Sequence, residues 1–462
     1  DMDEGECDMQ EILLVFFTIL AVVCAVIAIL KKFNSRFAFI ALGLIFMLIA
    51  TWIKGTSVLG EDTTGSLILD VFDVVRVKLK DTAGGIGATV MMGGAYVLFM
   101  NHIKASNVLA NGAARLLKNF KLPYVLLSIV FIFGSVLKLF ITSQVALGML
   151  LMITLYPILI RLGVSKLSCV SAIIMCGFLD EGVNDSSAIF TSGVMEMTPF
   201  DYFITYEGRV GLITVLVMAV FLPLYFKKRD LKEFGGLVID DSSAVTKEED
   251  KRPGIYGILP IVPLALIIIF NFIPSVKMDV ITANVIGFTV AFIFELIRRR
   301  HEVSAVSNMM TDVGLFMADY FNKVVAMIIF AYIFSEGVKQ LGGINIVAEK
   351  MAEIQGAGLL VTLLLCALIF LTGVLTGSGN APFYAFGPLA PQLAQMLGLT
   401  PQSMVVPMHL AGSVGRTLSP FCAAVIAIPA LADLEINDVI KRSIVPTIVA
   451  TIVVLAAPQI LW

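Results

Sequence analysis

The sequence predicts an all-α polytopic membrane protein built as an inverted repeat. Two five-helix halves each carry a re-entrant hairpin and an interrupted helix, about ten spans plus two hairpins in all. Three observations predict it. Only 15% of the 462 residues are charged and 58% are hydrophobic, with a mean hydropathy of +0.94, whereas soluble domains carry roughly 25% charged residues. Apolar runs recur along the chain (Glu11–Leu30, Phe37–Ile53, Gly84–Ile103, Tyr124–Ile141, Val145–Ile160, Gly208–Phe226, Tyr256–Ile273), and the full ones approach the ~20 residues that cross a bilayer as a helix. A charged and polar stretch from Lys227 to Pro253 then divides the chain into two similar apolar halves.

The first run begins near residue 11 behind an acidic head, Asp1 to Glu6. A signal peptide wants a basic head, so this run reads as the first transmembrane helix. Basic residues cluster after alternate runs: Lys31, Lys32 and Arg36; Lys104, Arg115, Lys118 and Lys121; Lys227 to Lys232; Arg298 to Arg300; Lys441 and Arg442. If all of these loops are cytoplasmic, both termini lie outside. The halves are 1–226 and 256–462, with 227–255 as a cytoplasmic linker. Ser143 and Ser378, Gly163 and Gly398, Lys104 and Lys339, and Gly177 and Gly412 all stand 235 residues apart. A constant offset over some seventy residues marks one unit used twice. Each half then reads as two spans, a third span, an amphipathic arm (Ala105–Phe120 or Gln340–Gln355), a polar-tipped apolar pair, an interrupted span and a final span.

The polar-tipped pairs cover about 124–162, around Thr142-Ser143-Gln144, and about 359–397, around Ser378-Gly379-Asn380. Helix breakers at membrane depth are tolerated where they line a cavity, so each pair reads as a hairpin that enters and leaves on one side. The following segments, about 167–193 and 403–432, are interrupted by CGFLDEGVNDSSAIFTSG (176–193) and by GSVGRTLSP (412–420). Broken helices with polar tips in repeated halves are the architecture of secondary transporters.

A charge at the helix centre costs roughly 2.5–3.5 kcal/mol even on insertion scales, so charged residues there are functional candidates. Arg416, flanked by Gly412, Gly415 and Pro420, offers a fork that matches a carboxylate. It either binds an anionic solute or pairs with an acid of the other half, Asp180 or Glu181. Asp180, Glu181, Asn184, Asp185 and Ser186 form a candidate coupling-ion cluster for Na⁺ or H⁺, or a group of loop acids. His409 is a candidate proton carrier or a packing histidine, and His102 and His301 read as interfacial. The six cysteines have no CxxC spacing and read as packing thiols. The glycines at 84–87 and 93–94 lack the Lys of a phosphate loop and read as helix-packing residues. No basic stretch interleaved with aromatics points to nucleic acid.

TGSGNAPFYAF (376–386), GRTLSP (415–420) and VIKRSIVP (439–446) closely resemble the anaerobic C4-dicarboxylate carriers of the DcuC type, within the ion-transporter superfamily. The resemblance implies a bacterial inner-membrane carrier of succinate, fumarate or malate, working by cation coupling or exchange. It also implies an elevator-like motion and a homodimer in the lipid. Carried onto this chain, the substrate site comprises Thr142, Ser143, Ser378, Gly379, Asn380, Arg416, Thr417 and Ser419. Possible Na⁺ positions lie near Ser143, Asn184 and Asp185 and near Ser378 and Asn380; no other cofactor is expected. Asp180 and Glu181 beside a dianion oppose it by like-charge repulsion unless cations or protons join them. A zwitterionic or cationic amino-acid-like solute is therefore the second reading. An intramembrane serine protease would want Gly where Thr376 stands and leaves the repeat unexplained, and a channel would show flux that neither saturates nor accumulates, so no enzyme is expected.

Overall fold

The computed structural model describes residues 2–117, 122–234, 252–271, 273, 275–276, 278–354 and 356–462. Most of the charged linker, the end of the first arm with Lys118 and Lys121, and Gln355 of the second lie outside the described residues. So do Asp1 and the side chains of residues 2–8 and 113–117.

Among the described residues the secondary structure is helical throughout. Four helices lead in: α1 (Met2–Leu30), α2 (Ser35–Lys54), α3 (Leu67–Gly84) and α4 (Ile86–His102). The arm α5 (Ala105–Leu117) precedes a helical pair, α6 (Pro123–Lys138) with α7 (Gln144–Thr154) and α8 (Tyr156–Arg161). Then come α9 (Lys166–Met175), α10 (Ser186–Val194), α11 (Pro199–Tyr202) and the long α12 (Gly208–Phe234). The second half runs α13 (Val262–Asn271), α14 (Val280–Arg298), α15 (Val303–Tyr320), α16 (Ala326–Leu341) and the arm α17 (Gly343–Ala352). It closes with α18 (Ala357–Thr376), α19 (Asn380–Phe386), α20 (Ala390–Met396), α21 (Pro401–Gly415), α22 (Ala423–Ala430) and α23 (Ile436–Leu461). Nine of the described helical stretches are long and apolar enough to span a bilayer, ten if the α3–α4 pair, bent by 42° at Gly85, counts as one.

Apart from the short α11, which has no counterpart, the helix order from α5 to α12 matches that from α17 to α23, and the offset of 235 recurs in the backbone of the return limbs. Gly163 and Gly398 close the two return limbs with φ of +89° and +72°, a conformation that only glycine adopts without penalty. Ser165 and Thr400 then precede α9 and α21 in extended conformation. The second arm starts at Gly343, not Gln340, because the chain turns at Gly342 (φ +77°). The charged stretch also begins later than its composition suggests, since α12 continues through Phe234. Helix α3 is absent from the apolar runs because Asp70, Asp73, Arg76, Lys78, Lys80 and Asp81 dilute its hydrophobicity.

The two units interlock. Return limb α7 packs on α22, and the turn after α19 packs on α10. One core joins α6–α9 and α12 to α22 and α23, and a second joins α1, α2 and α16 to α18–α21. The tip of the second pair is seated on α21: a Cβ at Gly412 would lie 2.6 Å from the Gly379 carbonyl oxygen, and one at Gly379 closer still to the Gly412 carbonyl. Overpacking of this kind costs about 1–3 kcal/mol. A Gly412→Ala variant is therefore expected to melt several degrees lower in detergent than the parent; an unchanged thermal midpoint would show that the tip yields freely.

Arg442 is no loop residue. It lies inside α23, buried, and donates from Nη1 to Asp230 Oδ1 of α12 at 3.0 Å and from Nη2 to Glu233. Asp230 also accepts from the hydroxyls of Tyr124 (2.9 Å), Ser165 (2.8 Å) and Ser168 (2.7 Å). A buried carboxylate is tolerated when its lone pairs are met in this way.

Candidate functional site between the two tips

The breaks that the sequence marks converge on one place. Helix α6 ends at Lys138, and a turn at Leu139 and Phe140 leads to the extended Ser143, whose Oγ caps α7 by accepting from Ala146 N (3.3 Å). Helix α9 stops at Met175. The chain stays irregular past Gly182 (φ +110°) and re-enters helix where Asp185 caps α10 by accepting from Ser187 N (2.9 Å). In the second unit α21 ends at Gly415, a 3₁₀ turn holds Arg416 to Leu418, and Pro420 delays the next helix to Ala423.

Between these breaks lies a cavity of about 320 Å³, near the lower end of the ~300–1,000 Å³ that small-molecule sites occupy. Thr142, Ser143, Asp180, Asp185, Ser186, Asn380 and Arg416 line it, drawn from both units. Tyr320, Lys323 and Val324 close another side, from the junction of α15 with the π-helical turn Phe321–Val325. Such turns are frequent at functional sites.

Four charges stand together at the wall. Lys138 Nζ, 1% exposed, lies 3.2 Å from both Asp180 Oδ1 and Asp185 Oδ2. Asp180 also receives the Arg416 fork, with Nη2 at 2.5 Å from Oδ1 and Nη1 on Oδ2. Arg416 Nη2 reaches the Gly177 carbonyl at 3.4 Å, while its Nε is buried without a partner. Two cations thus face two anions, and the cluster is neutral as a whole. Of the two readings open for Arg416, the structure shows the pairing with Asp180, in a side chain that still borders the cavity.

The other sequence candidates lie elsewhere. Glu181 is buried away from the cavity, its carboxylate against Gly211 of α12. Asn184 Oδ1 accepts from Asn284 Nδ2 (3.1 Å) beside Gly93. Ser378 is exposed, with its backbone tied to Thr376 Oγ1, and Gly379 packs on Gly412. Thr417 Oγ1 bonds Val414 O and Thr447 Oγ1, and Ser419 Oγ accepts from Phe421 N. The proposed ion positions are accordingly split: Ser143 and Asp185 line the cavity without Asn184, and Asn380 lines it without Ser378. Lys138, Tyr320 and Lys323 escaped the sequence reading, as did Cys422, which lines the cavity although it reads as a packing thiol. A lone lysine inside the apolar run Tyr124–Ile141 was the available signal for the first.

A polytopic helical fold with paired broken helices around a central polar cavity defines a membrane transporter. Residues 13–461 match the family profile of the C4-dicarboxylate anaerobic carriers, DcuC, and the chain belongs to that family. The probable anaerobic C4-dicarboxylate transporter DcuC of Vibrio cholerae is 29% identical over 422 residues, covering 90% of this chain and 91% of its own. The anaerobic C4-dicarboxylate transporter DcuC of Escherichia coli K12 is 28% identical over 435 residues, 94% and 93% of the two chains. Among solved structures, the Alcanivorax borkumensis YdaH transporter shares the fold with a TM-score of 0.65 at 15% identity, covering 92% of this chain and 97% of its own. The family and its relatives are membrane transporters, not enzymes.

Proposed function

We propose that the protein is a secondary active transporter moving C4-dicarboxylates, such as succinate, fumarate or malate, across the bacterial inner membrane by alternating access. The observation that carries this reading is the cavity between the breaks, bordered by polar groups of both units. The first residues of α7 and α10 face it, and helix N-termini favour anions. Hydroxyls of Thr142, Ser143 and Ser186 and the amide of Asn380 supply further contacts. Arg416 borders the solute with its charge matched by Asp180, Lys138 stands behind the two aspartates, and Asp185 is the candidate coupling residue. Units 1–226 and 256–462 inserted with opposite topology, both termini outside, two re-entrant hairpins, an elevator-like movement and a homodimer complete the proposal.

A specific observation favours a second reading. Asp180 already occupies the Arg416 fork, so a zwitterionic or cationic amino-acid-like solute would meet the two aspartates without a free guanidinium to repel it. Proteoliposome uptake separates the two. Saturable uptake of labelled succinate, blocked by fumarate and driven by a Na⁺ or pH gradient, is the expected result. Uptake of an amino acid with succinate ignored would establish the second reading.

A further inference from the structure

Outside the lining of the cavity sits a second group of titratable residues. Glu207 ends the π-helical turn Phe203–Glu207 between α11 and α12 and is fully buried. Its Oε2 accepts from Gly182 N in the break of the first unit (3.0 Å), while Oε1 has no hydrogen-bond partner. That oxygen lies 3.5 Å from Nδ1 of His409 on α21, itself buried and stacked on the Phe383 ring at 5.3 Å. The Tyr202 hydroxyl lies 3.2 Å from the same nitrogen. On the far side of the ring, Nε2 is 2.9 Å from Ser187 Oγ, and Ser187 Oγ donates to Asp185 Oδ1 at 2.8 Å. Asp185 lines the cavity.

The hydroxyl of Ser187 has one hydrogen, and it goes to Asp185. Ser187 Oγ must therefore accept from His409, which puts a hydrogen on Nε2. In the neutral imidazole Nδ1 then accepts from the Tyr202 hydroxyl, and the dry Glu207 Oε1 lies beside it; a proton held by the pair sits either on the carboxyl, with a neutral imidazole, or on Nδ1, as imidazolium beside a carboxylate. An ionised carboxylate with a dry, unpaired oxygen and no such proton is disfavoured. Glu207 and His409 face each other and Tyr202 of α11; Glu181 and Asp185 on the break and Lys138 on α6 also act electrostatically on Glu207, and Asp180, Lys138 and Arg416 on His409. Among these only Asp185 is joined to the pair by hydrogen bonds and to the cavity by position.

Resting on the transport reading above, we propose that Glu207 and His409 hold the coupling proton and exchange it with the solute cavity through Ser187 and Asp185. Release is balanced as follows. The Nε2 proton passes to Ser187 Oγ as the Ser187 hydroxyl proton moves to Asp185 Oδ1. The shared proton settles on Nδ1, leaving Glu207 ionised, and Asp185 yields its proton to cavity water. Uptake runs in reverse. The relay crosses the two units, since Glu207, Ser187 and Asp185 belong to the first and His409 to the second. A movement that parts α10 from α21 would break it, which ties proton exchange to conformation.

The test compares the full chain with Glu207→Gln in proteoliposomes. Succinate counterflow at equal pH needs no net proton movement, whereas accumulation driven by a pH gradient, with trapped pyranine reporting luminal acidification, does. The parent is expected to show both. Glu207→Gln should keep counterflow within about twofold while losing acidification and gradient-driven accumulation by at least about tenfold, the scale of a lost proton-transfer group. Should that variant fold poorly, Ser187→Ala cuts the same relay and is expected to give the same split. Gradient-driven accumulation that persists in either folded variant overturns the relay. A parent with counterflow but no acidification overturns it too and leaves dicarboxylate exchange standing, while a parent without succinate counterflow overturns the transport reading itself.

Discussion

A Lys138→Met variant is expected to lose solute flux and to be less stable than the parent by about 3–5 kcal/mol, the cost of breaking a buried ion pair by removing one partner. Among the described residues Lys138 is the single cation that touches both Asp180 and Asp185. Without it two buried carboxylates share one guanidinium, and Asp185 keeps only the donors of its own helix, the N–H and hydroxyl of Ser187. Thermal unfolding in detergent and flux in proteoliposomes check the two halves of the expectation. Adding Asp185→Asn should recover much of the stability, because the cluster is neutral again and asparagine caps a helix as well as aspartate does. It should not recover flux. A Lys138→Met protein that melts like the parent would show that the charges are not held together as described.

Arg416→Ala is expected to abolish flux as well, with a smaller loss of stability, since Asp180 retains Lys138. Some stability is lost all the same, because the fork meets both oxygens of Asp180 and the Gly177 carbonyl. Arg416→Lys keeps the charge and loses the planar fork, so its flux should fall by on the order of tenfold or more. The double variant Arg416→Ala with Asp180→Asn separates the roles: its thermal midpoint should return toward the parent value while transport stays absent. Transport by the double variant would mean that Arg416 serves only to neutralise Asp180.

Most of the framework was legible in the sequence because breakers inside apolar runs are rare and costly, so Gly, Ser, Asn and Pro mark helix ends directly. Helices α6 to α8 cover 123–161 and α18 to α20 cover 357–396, while α9 with α10 and α21 with α22 cover 166–194 and 401–430. Partner choice was not legible. Lys138 reaches acids 42 and 47 residues away, and Arg416 reaches one 236 residues away; no local pattern encodes such pairings. Helical spacing also leaves open which side of a break faces the cavity. Ser186 and Ser187 are neighbours, yet one lines the cavity and the other faces His409. Thr417, Ser419 and Asn184 have the chemistry of ligands and spend it on the protein's own framework. Glu207 drew no notice in its polar surroundings between Asp201 and Arg209, although its partner histidine did.

The buried knot around Asp230 bears on how the chain is made. Asp230 and Glu233 emerge from the ribosome more than two hundred residues before Arg442, the guanidinium that neutralises them. During that interval Glu233 has Arg229 of its own helix at 3.2 Å, while Asp230 has the hydroxyls of Tyr124, Ser165 and Ser168 and still awaits the buried Arg442 guanidinium. Arrival of α23 lets the knot close. A chain that ends before this helix is therefore expected to leave Asp230 buried without its guanidinium, and so to pack less firmly than the complete carrier.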